Sequence, residues 1–284
     1  MKRLLKLLLM CFLYVYLIVL SHSRLRYGVR VIILHGVEPN EMDRLDKLIN
    51  RLTRKWRLIT PQEFVSFLKG NLELDKPSIL LTFDDGFETS ALAEKKVLSK
   101  YMVKSIFFIA TDFIKSGTNG CSEIFVKNNL LLSESECRQT STDPMNLDSI
   151  SYLLSNDNII GSHTVSHARL SNLDKKNIID ELKESKFFID KLITQENKTE
   201  KTSEFAFPFG DISSISNESL ILASRHYERV YTGCRGVNKS GMNIIYRDSI
   251  SLKDPMFFSD IYLSGVLDKF YQRKFNSLLS NNRS

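Results

Sequence analysis

The run Ser105-Ile106-Phe107-Phe108-Ile109 is apolar almost throughout, with no polar residue at every second position. A strand with one face in water alternates, so a continuous run of this kind fits a strand covered on both faces, as in a parallel sheet. Short β-branched and aromatic runs recur at 29–35, 78–83, 104–109, 158–161, 204–207, 229–232 and 243–247. Between them lie stretches at helical spacing, at 43–52, 92–101, 147–154, 174–193, 218–225 and 260–275. Seven strands, most followed by a helix, predict an α/β chain folded as a closed or nearly closed (β/α) barrel. With 284 residues and 43% apolar content the chain can bury one large core, and no repeat or Pro/Gly-rich linker divides it. Residues 27–284 therefore read as one domain, preceded by an apolar segment over 1–26. A stretch rich in Ser, Thr, Asn and Glu, at 116–148, reads as an inserted loop with some helix, placed to shape a groove at the barrel mouth.

The net charge of +6 is local. Lys2, Arg3, Lys6, Arg24, Arg26 and Arg30 precede the first acidic residue, Glu38, and without these six the chain has 33 bases against 33 acids. A chain neutral outside its N-terminus argues against a nucleic-acid-binding surface. The apolar stretch at 7–20, preceded by basic residues, has the length of a signal-peptide h-region. As a helix it spans about 21 Å, short of the roughly 30 Å hydrocarbon core of a bilayer. A cleaved signal, an uncleaved anchor or membrane-lying helix through residues 4–20, and an N-terminal apolar helix packed on the domain all remain open. The expected setting is membrane-associated or exported, in a bacterial-type envelope, with the cytoplasmic face as a further option. Cys121 and Cys137 flank one polar stretch, and no Cys-x-x-Cys spacing occurs, so the cysteines read as free thiols or as that one pair.

Chemistry collects at the strand ends. Asp84 and Asp85 close the run at 78–83 and are followed by Gly86, while His163 and His167 follow the run at 158–161. Two acids ending a hydrophobic strand have no packing role. One carboxylate with two imidazoles can ligate a divalent ion while the second carboxylate serves as a base. His35, Pro208-Phe209-Gly210 and Arg247 also fall at or just past the C-terminal ends of expected strands, the rim on which parallel barrels build their active sites.

Thr82-Phe83-Asp84-Asp85-Gly86, His163-Thr164-Val165-Ser166-His167 and Phe207-Pro208-Phe209-Gly210 resemble, in order and spacing, the leading motifs of the polysaccharide deacetylases, the NodB-homology group or carbohydrate esterase family 4. The resemblance runs from about His35 to Arg247. It implies a distorted (β/α)7-type, NodB-like barrel, with Asp85, His163 and His167 as metal ligands and Asp84 as the base that takes a proton from the metal's water. The ion implied is zinc, with nickel, cobalt and iron also suited to two imidazoles and a carboxylate. Gly86 lets the backbone turn beneath the ion, and the amide of Phe87 is placed to bond the oxyanion. Phe207, Pro208, Phe209 and Gly210 are implied as substrate-binding, with Arg247 beside them.

Two departures stand out. The arginine that pairs with the base in the familiar version, two residues before the proline, is Ala206 here, and Arg247 is the substitute expected from the sequence, an ordinary ion pair being its other reading. The late Leu-x-His motif is absent, because no histidine follows His226. Leu34-His35-Gly36 resembles the start of a subgroup in which an early histidine supplies the general acid, so His35 takes that role here or is a structural histidine of the rim. The expected activity is metal-dependent removal of N-acetyl groups from amino sugars of a surface polysaccharide or a lipid-linked precursor. The alternatives are a catalytically inactive carbohydrate-binding barrel and a metal-dependent O-acetyl esterase or other amidase.

Overall fold

The structure is a computed structural model that describes residues 28–280, so the apolar N-terminal segment lies outside the described residues. Among the described residues nine strands and eleven α-helices alternate: β1 (Val29–Leu34), α1 (Met42–Thr53), β2 (Arg57–Leu58), α2 (Pro61–Leu68), β3 (Ser78–Phe83), α3 (Glu88–Lys96), β4 (Ser105–Ile109), α4 (Thr111–Asn119), α5 (Ser122–Asn128), α6 (Glu134–Cys137), α7 (Leu147–Ser155), β5 (Ile159–Ser162), α8 (Lys175–Gln195), β6 (Glu204–Ala206), α9 (Asn217–His226), β7 (Arg229–Tyr231), β8 (Ile244–Ile245), β9 (Asp248–Ser249), α10 (Phe257–Leu263) and α11 (Asp268–Ser280). All strand pairings are parallel, in the order β8-β7-β6-β5-β4-β3-β1-β9, with the short β2 also on β3. This is the α/β barrel expected from the alternation, of the NodB-like kind that the motif resemblance implied.

The sheet curls because its two faces are both apolar and need separate covers. Val29 and Val31 of β1, Leu80 of β3, Ile106 and Phe108 of β4, Ala206 of β6, Tyr231 of β7 and Ile245 of β8 share one buried cluster. Strands at opposite ends of the order meet in it, which only a rolled sheet allows. Phe64, Phe67 and Leu68 of α2 join that cluster. The alternate residues, Ile32, Leu34, Ile79, Leu81, Phe83, Phe107 and Ile109, face outward against the helices. Both faces of β1, β3 and β4 are thus dry, as continuous apolar runs require.

Closure falls to one extended segment. Ile244 and Ile245 pair with β7, and Asp248 and Ser249 pair with β1, leaving Tyr246 and Arg247 to span the seam. Beneath it, Arg30 of β1 bonds both oxygens of Asp248 at 2.8 and 2.9 Å and both oxygens of Asp268 at 2.9 Å, tying the seam to α11.

Several boundaries differ from the sequence expectation. The strand expected at 243–247 is broken at Arg247, whose side chain turns into the barrel. The helix expected at 92–101 begins at Glu88, and residues Leu98–Tyr101 form a 3-10 turn ended by Met102 in the left-handed region, φ 54°. The single closing helix expected at 260–275 is two, parted near Gly265, where φ is +77°. The polar insertion holds α5, α6 and the last turn of α4. Cys121 and Cys137 are free thiols, as is Cys234.

Candidate metal centre and active site

Asp84, Asp85, His163, His167 and Phe209 all follow the C-terminal ends of their strands. β3 ends at Phe83, and the amide of Asp84 still donates to Leu34 O of β1 at 2.9 Å, so Asp84 continues the strand. Asp85 then turns with φ 75° and Gly86 with φ 98°. At Gly86 a Cβ would meet Ile109 and Ile114 side-chain atoms at 3.1 Å, so that turn has space only for glycine. β5 ends at Ser162, His163 N donates to Ile109 O at 3.0 Å, and Thr164 and His167 adopt left-handed φ values of 68° and 57°. Non-glycine residues in this region carry a backbone cost of order 1 kcal/mol each and persist where the surroundings fix them, commonly at functional sites.

These turns bring three donors together. Asp85 Oδ1 lies 3.5 Å from His163 Nε2 and 3.3 Å from His167 Nε2, and all three side chains are buried. Nδ1 of His163 faces Ala206 O at 2.8 Å, and Nδ1 of His167 faces Asn129 O at 3.0 Å. Carbonyl oxygens only accept, so each Nδ1 carries a proton, and Nε2 is the atom each ring turns toward Asp85, where a neutral ring offers a lone pair. Three lone-pair donors facing one another are unfavourable unless a cation lies between them. Ligands about 2.1 Å from a tetrahedral ion are separated by roughly 3.4 Å, which the two separations from Asp85 match, and all three atoms lie within 4.8 Å of one another. Burial pushes the Asp85 carboxyl up, but where protonated Nε2 atoms take the place of a cation, the hydrogen bonds that His163 and His167 donate, with His35 nearby, hold it well below the usual carboxylate range.

Asp84 stays outside this set. Its Oδ2 is 3.9 Å from His163 Nε2, and both its oxygens are taken by Arg247, Nη1 to Oδ1 at 2.7 Å and Nη2 to Oδ2 at 2.9 Å. The guanidinium is fully buried, bonds Thr82 Oγ1 at 3.2 Å and Thr232 O at 3.0 Å, and lies over the Phe108 and Tyr231 rings at 5.2 and 5.9 Å. It therefore occupies the place for which the familiar motif uses an arginine at the position of Ala206. With all these bonds made inside the barrel, Arg247 has no surface to offer a sugar. The contact with Asp84 is the one the sequence offered for Arg247 as the substitute cation, while the substrate contact also expected of it has no exposed surface from which to be made.

The groove motif is corrected in the same way. Phe207 is 1% exposed and packs edge-on against Phe205 at 5.0 Å, in the core beneath α9. Pro208 is buried, and Gly210 is pressed against the backbone of Gly233, whose amide donates to Gly210 O at 2.8 Å. Phe209 alone of the four is exposed, at 36%, with its ring 4.7 Å from that of His167 and the Arg169 guanidinium stacked over it at 4.3 Å.

A cleft of about 360 Å³ opens beside Asp85, lined by His35, Phe87, Leu132, Thr140, Ile250 and Lys253 among others. His35, at the end of β1, is exposed on this cleft. The amide of Phe87 has no protein acceptor among the described residues, while its neighbours are engaged, Glu88 N with Asp143 O and Met145 N with Gly86 O. Two residues that shape the site, Asn129 and Glu181, left no mark in the sequence. Nothing in a lone Asn or in one Glu of a charged helix distinguishes it from a solvated residue.

A profile of the polysaccharide deacetylase family matches residues 71–226, more than half of the chain. No curated protein matches this chain. Among solved structures, the Streptococcus pyogenes deacetylase PplD in complex with acetate superposes with a TM-score of 0.63 at 18% identity, covering 84% of this chain and 98% of that one. IcaB from Ammonifex degensii gives 0.60 at 18% identity, over 84% and 97%. A de-N-acetylase from Aggregatibacter actinomycetemcomitans gives 0.60 at 14% identity, over 84% and 99%. At these identities the likeness speaks for the fold, and the profile match speaks for the family. With the aspartate pair, the two imidazoles and the barrel rim in place, the chain belongs to the polysaccharide deacetylase family.

Proposed function

We propose that this protein is a metal-dependent N-deacetylase that hydrolyses the acetamido group of an N-acetylated amino sugar, in a surface polysaccharide or its lipid-linked precursor, releasing acetate and a free amine. The observation that carries the reading is the convergence of Asp85, His163 and His167 on one point while Asp84, held by Arg247, stays next to it without joining. Asp85 and the two Nε2 atoms would hold the cation, with zinc as the first choice and nickel, cobalt or iron also suited to the donors. Bound there, a divalent ion supplies a Lewis acid for the acetyl carbonyl and makes water a stronger nucleophile at neutral pH.

The remaining work is done by side chains and backbone. Asp84 accepts the proton of the attacking water, and the bidentate guanidinium of Arg247 fixes the plane of the carboxylate. The free amide of Phe87 points its N–H toward the oxygen that gains charge. His35, across the cleft, gives a proton to the departing amine. Phe209 forms an apolar wall beside His167 against which a sugar ring can lie. The basic, apolar stretch over residues 4–20 is the reason for placing the substrate at a membrane. Among the described residues no helix is long and apolar enough to cross one.

Acetate release from N-acetylglucosamine oligomers and from lipid-linked N-acetylated sugars tests this directly. Turnover is expected with one class and lost in Asp84→Asn, which still binds zinc. An inactive sugar-binding barrel would bind oligomers and release no acetate with any cation, and an esterase would release acetate from O-acetylated sugars alone.

A further inference from the structure

Ser166, between the two imidazole ligands, has every polar atom engaged by two residues from distant parts of the chain. Its amide donates to Glu181 Oε2 at 3.0 Å, its hydroxyl donates to Glu181 Oε1 at 2.5 Å, and its carbonyl accepts from Asn129 Nδ2 at 2.8 Å. Glu181 Oε2 also accepts from Val165 N at 2.7 Å, and Asn129 O accepts from His167 Nδ1 at 3.0 Å. The loop they grip contains two left-handed non-glycine residues, Thr164 and His167, so its conformation is not the one the chain would choose unaided.

We propose that Glu181 and Asn129 are positioning residues for the metal centre, which hold His167 with its Nε2 toward Asp85 and so set the affinity of the site for its cation. The inference rests on the metal-dependent reading above. Glu181 reaches up from α8 and binds the loop through charge-assisted bonds, and Asn129 ends α5 of the polar insertion, so the insertion contributes directly to the centre. Bonds to the far nitrogen of a ligating histidine fix its tautomer and ring direction, and loss of such partners weakens metal sites by roughly tenfold to a hundredfold. Helix α8 does not depend on Glu181 for its place, because Ile178, Leu182, Ser185, Ile189 and Ile193 bury its inner face.

The test is zinc binding by metal-stripped protein, followed by calorimetry, with the cobalt absorption spectrum as a second readout. Asn129→Ala keeps the backbone carbonyl that faces His167 Nδ1 and loses only the Nδ2 bond to Ser166 O, and Glu181→Ala frees the amides of Val165 and Ser166; both are expected to weaken zinc binding up to about tenfold and to alter the cobalt bands, with the melting temperature of the stripped protein close to that of the wild type. Glu181→Gln, which keeps an acceptor for the loop amides, is expected to recover most of the affinity. Should Glu181→Ala fail to fold, Ser166→Ala removes only the hydroxyl bond and is expected to weaken binding severalfold. Wild-type affinity and an unchanged cobalt spectrum in the folded variants would overturn the proposal and leave the metal reading intact. Failure of the wild-type protein to take up any divalent ion would overturn both.

Discussion

Replacing Arg247 by methionine keeps much of the side-chain volume and removes the guanidinium that bonds both oxygens of Asp84. Asp84 is 4% exposed and Arg247 is fully buried, so neither water nor salt can take the guanidinium's place at 2.7 and 2.9 Å from the two carboxylate oxygens. Removing one partner of such a pair strands a buried charge and costs about 3–5 kcal/mol. In Asp84→Asn the arginine keeps a carbonyl acceptor and its bonds to Thr82 and Thr232, so the cost is smaller. The double variant Asp84→Asn/Arg247→Met has no stranded carboxylate and should be more stable than the sum of the single effects predicts, by about 2 kcal/mol. Urea unfolding of the four metal-stripped proteins measures this coupling, and added salt should leave it nearly unchanged because the pair is dry. Where Arg247→Met remains folded, the loosened base should lower kcat by about a hundredfold. Arg247→Lys should recover only part of this, since an ammonium cannot bond both oxygens in one plane. Additivity of the two substitutions within about 0.5 kcal/mol would refute the claim that Arg247 holds the base.

Phe209→Ala should raise KM about tenfold, equivalent to about 1.4 kcal/mol, with the unfolding midpoint little changed, because the ring is partly exposed and serves as a wall beside His167. An unchanged KM would remove Phe209 from the sugar site. Cys234 is buried with its thiol pushed up to about 11, so at neutral pH it keeps its proton and should resist iodoacetamide until the chain is unfolded, whereas exposed Cys121 should react at once. The folded thiol holds its proton where the unfolded one, at 9.0, loses it, so this group favours the fold below pH 9 and loses that contribution as pH rises through 11. Peptide mapping that finds Cys234 modified as fast as Cys121 would contradict the burial.

The rim residues were legible because their polarity contradicts their position. Asp84 and Asp85 end an apolar strand, and a sequence that places acids there signals a site as plainly as the strand itself. Arg247 was legible as a cation at a strand end, but the break it makes between β8 and β9 was not, because Ile244 to Arg247 looks like one strand until the guanidinium needs to turn inward. The strand β2 is two residues long and carries no pattern of its own. Helix α2 was not among the expected helices; the structure shows it opened by a Thr60–Glu63 capping box with Pro61 at its first position, and its role under the barrel depends on which core its phenylalanines join. Phe207 looked like a groove residue by its place in the motif, and only the packing against Phe205 turns it inward. Asn129 and Glu181 were invisible because their function lies in meeting Ser166, a contact set by the fold and by no local pattern.

The central claim is that Asp85, His163 and His167 hold a cation on which hydrolysis depends. Zinc titrated into metal-stripped protein, with bound zinc and acetate release from an N-acetylated sugar followed together, tests it most directly. One equivalent should bind and restore turnover in proportion, and His163→Ala should lose both. Turnover that persists in stripped protein, or zinc bound equally well by His163→Ala, would contradict it.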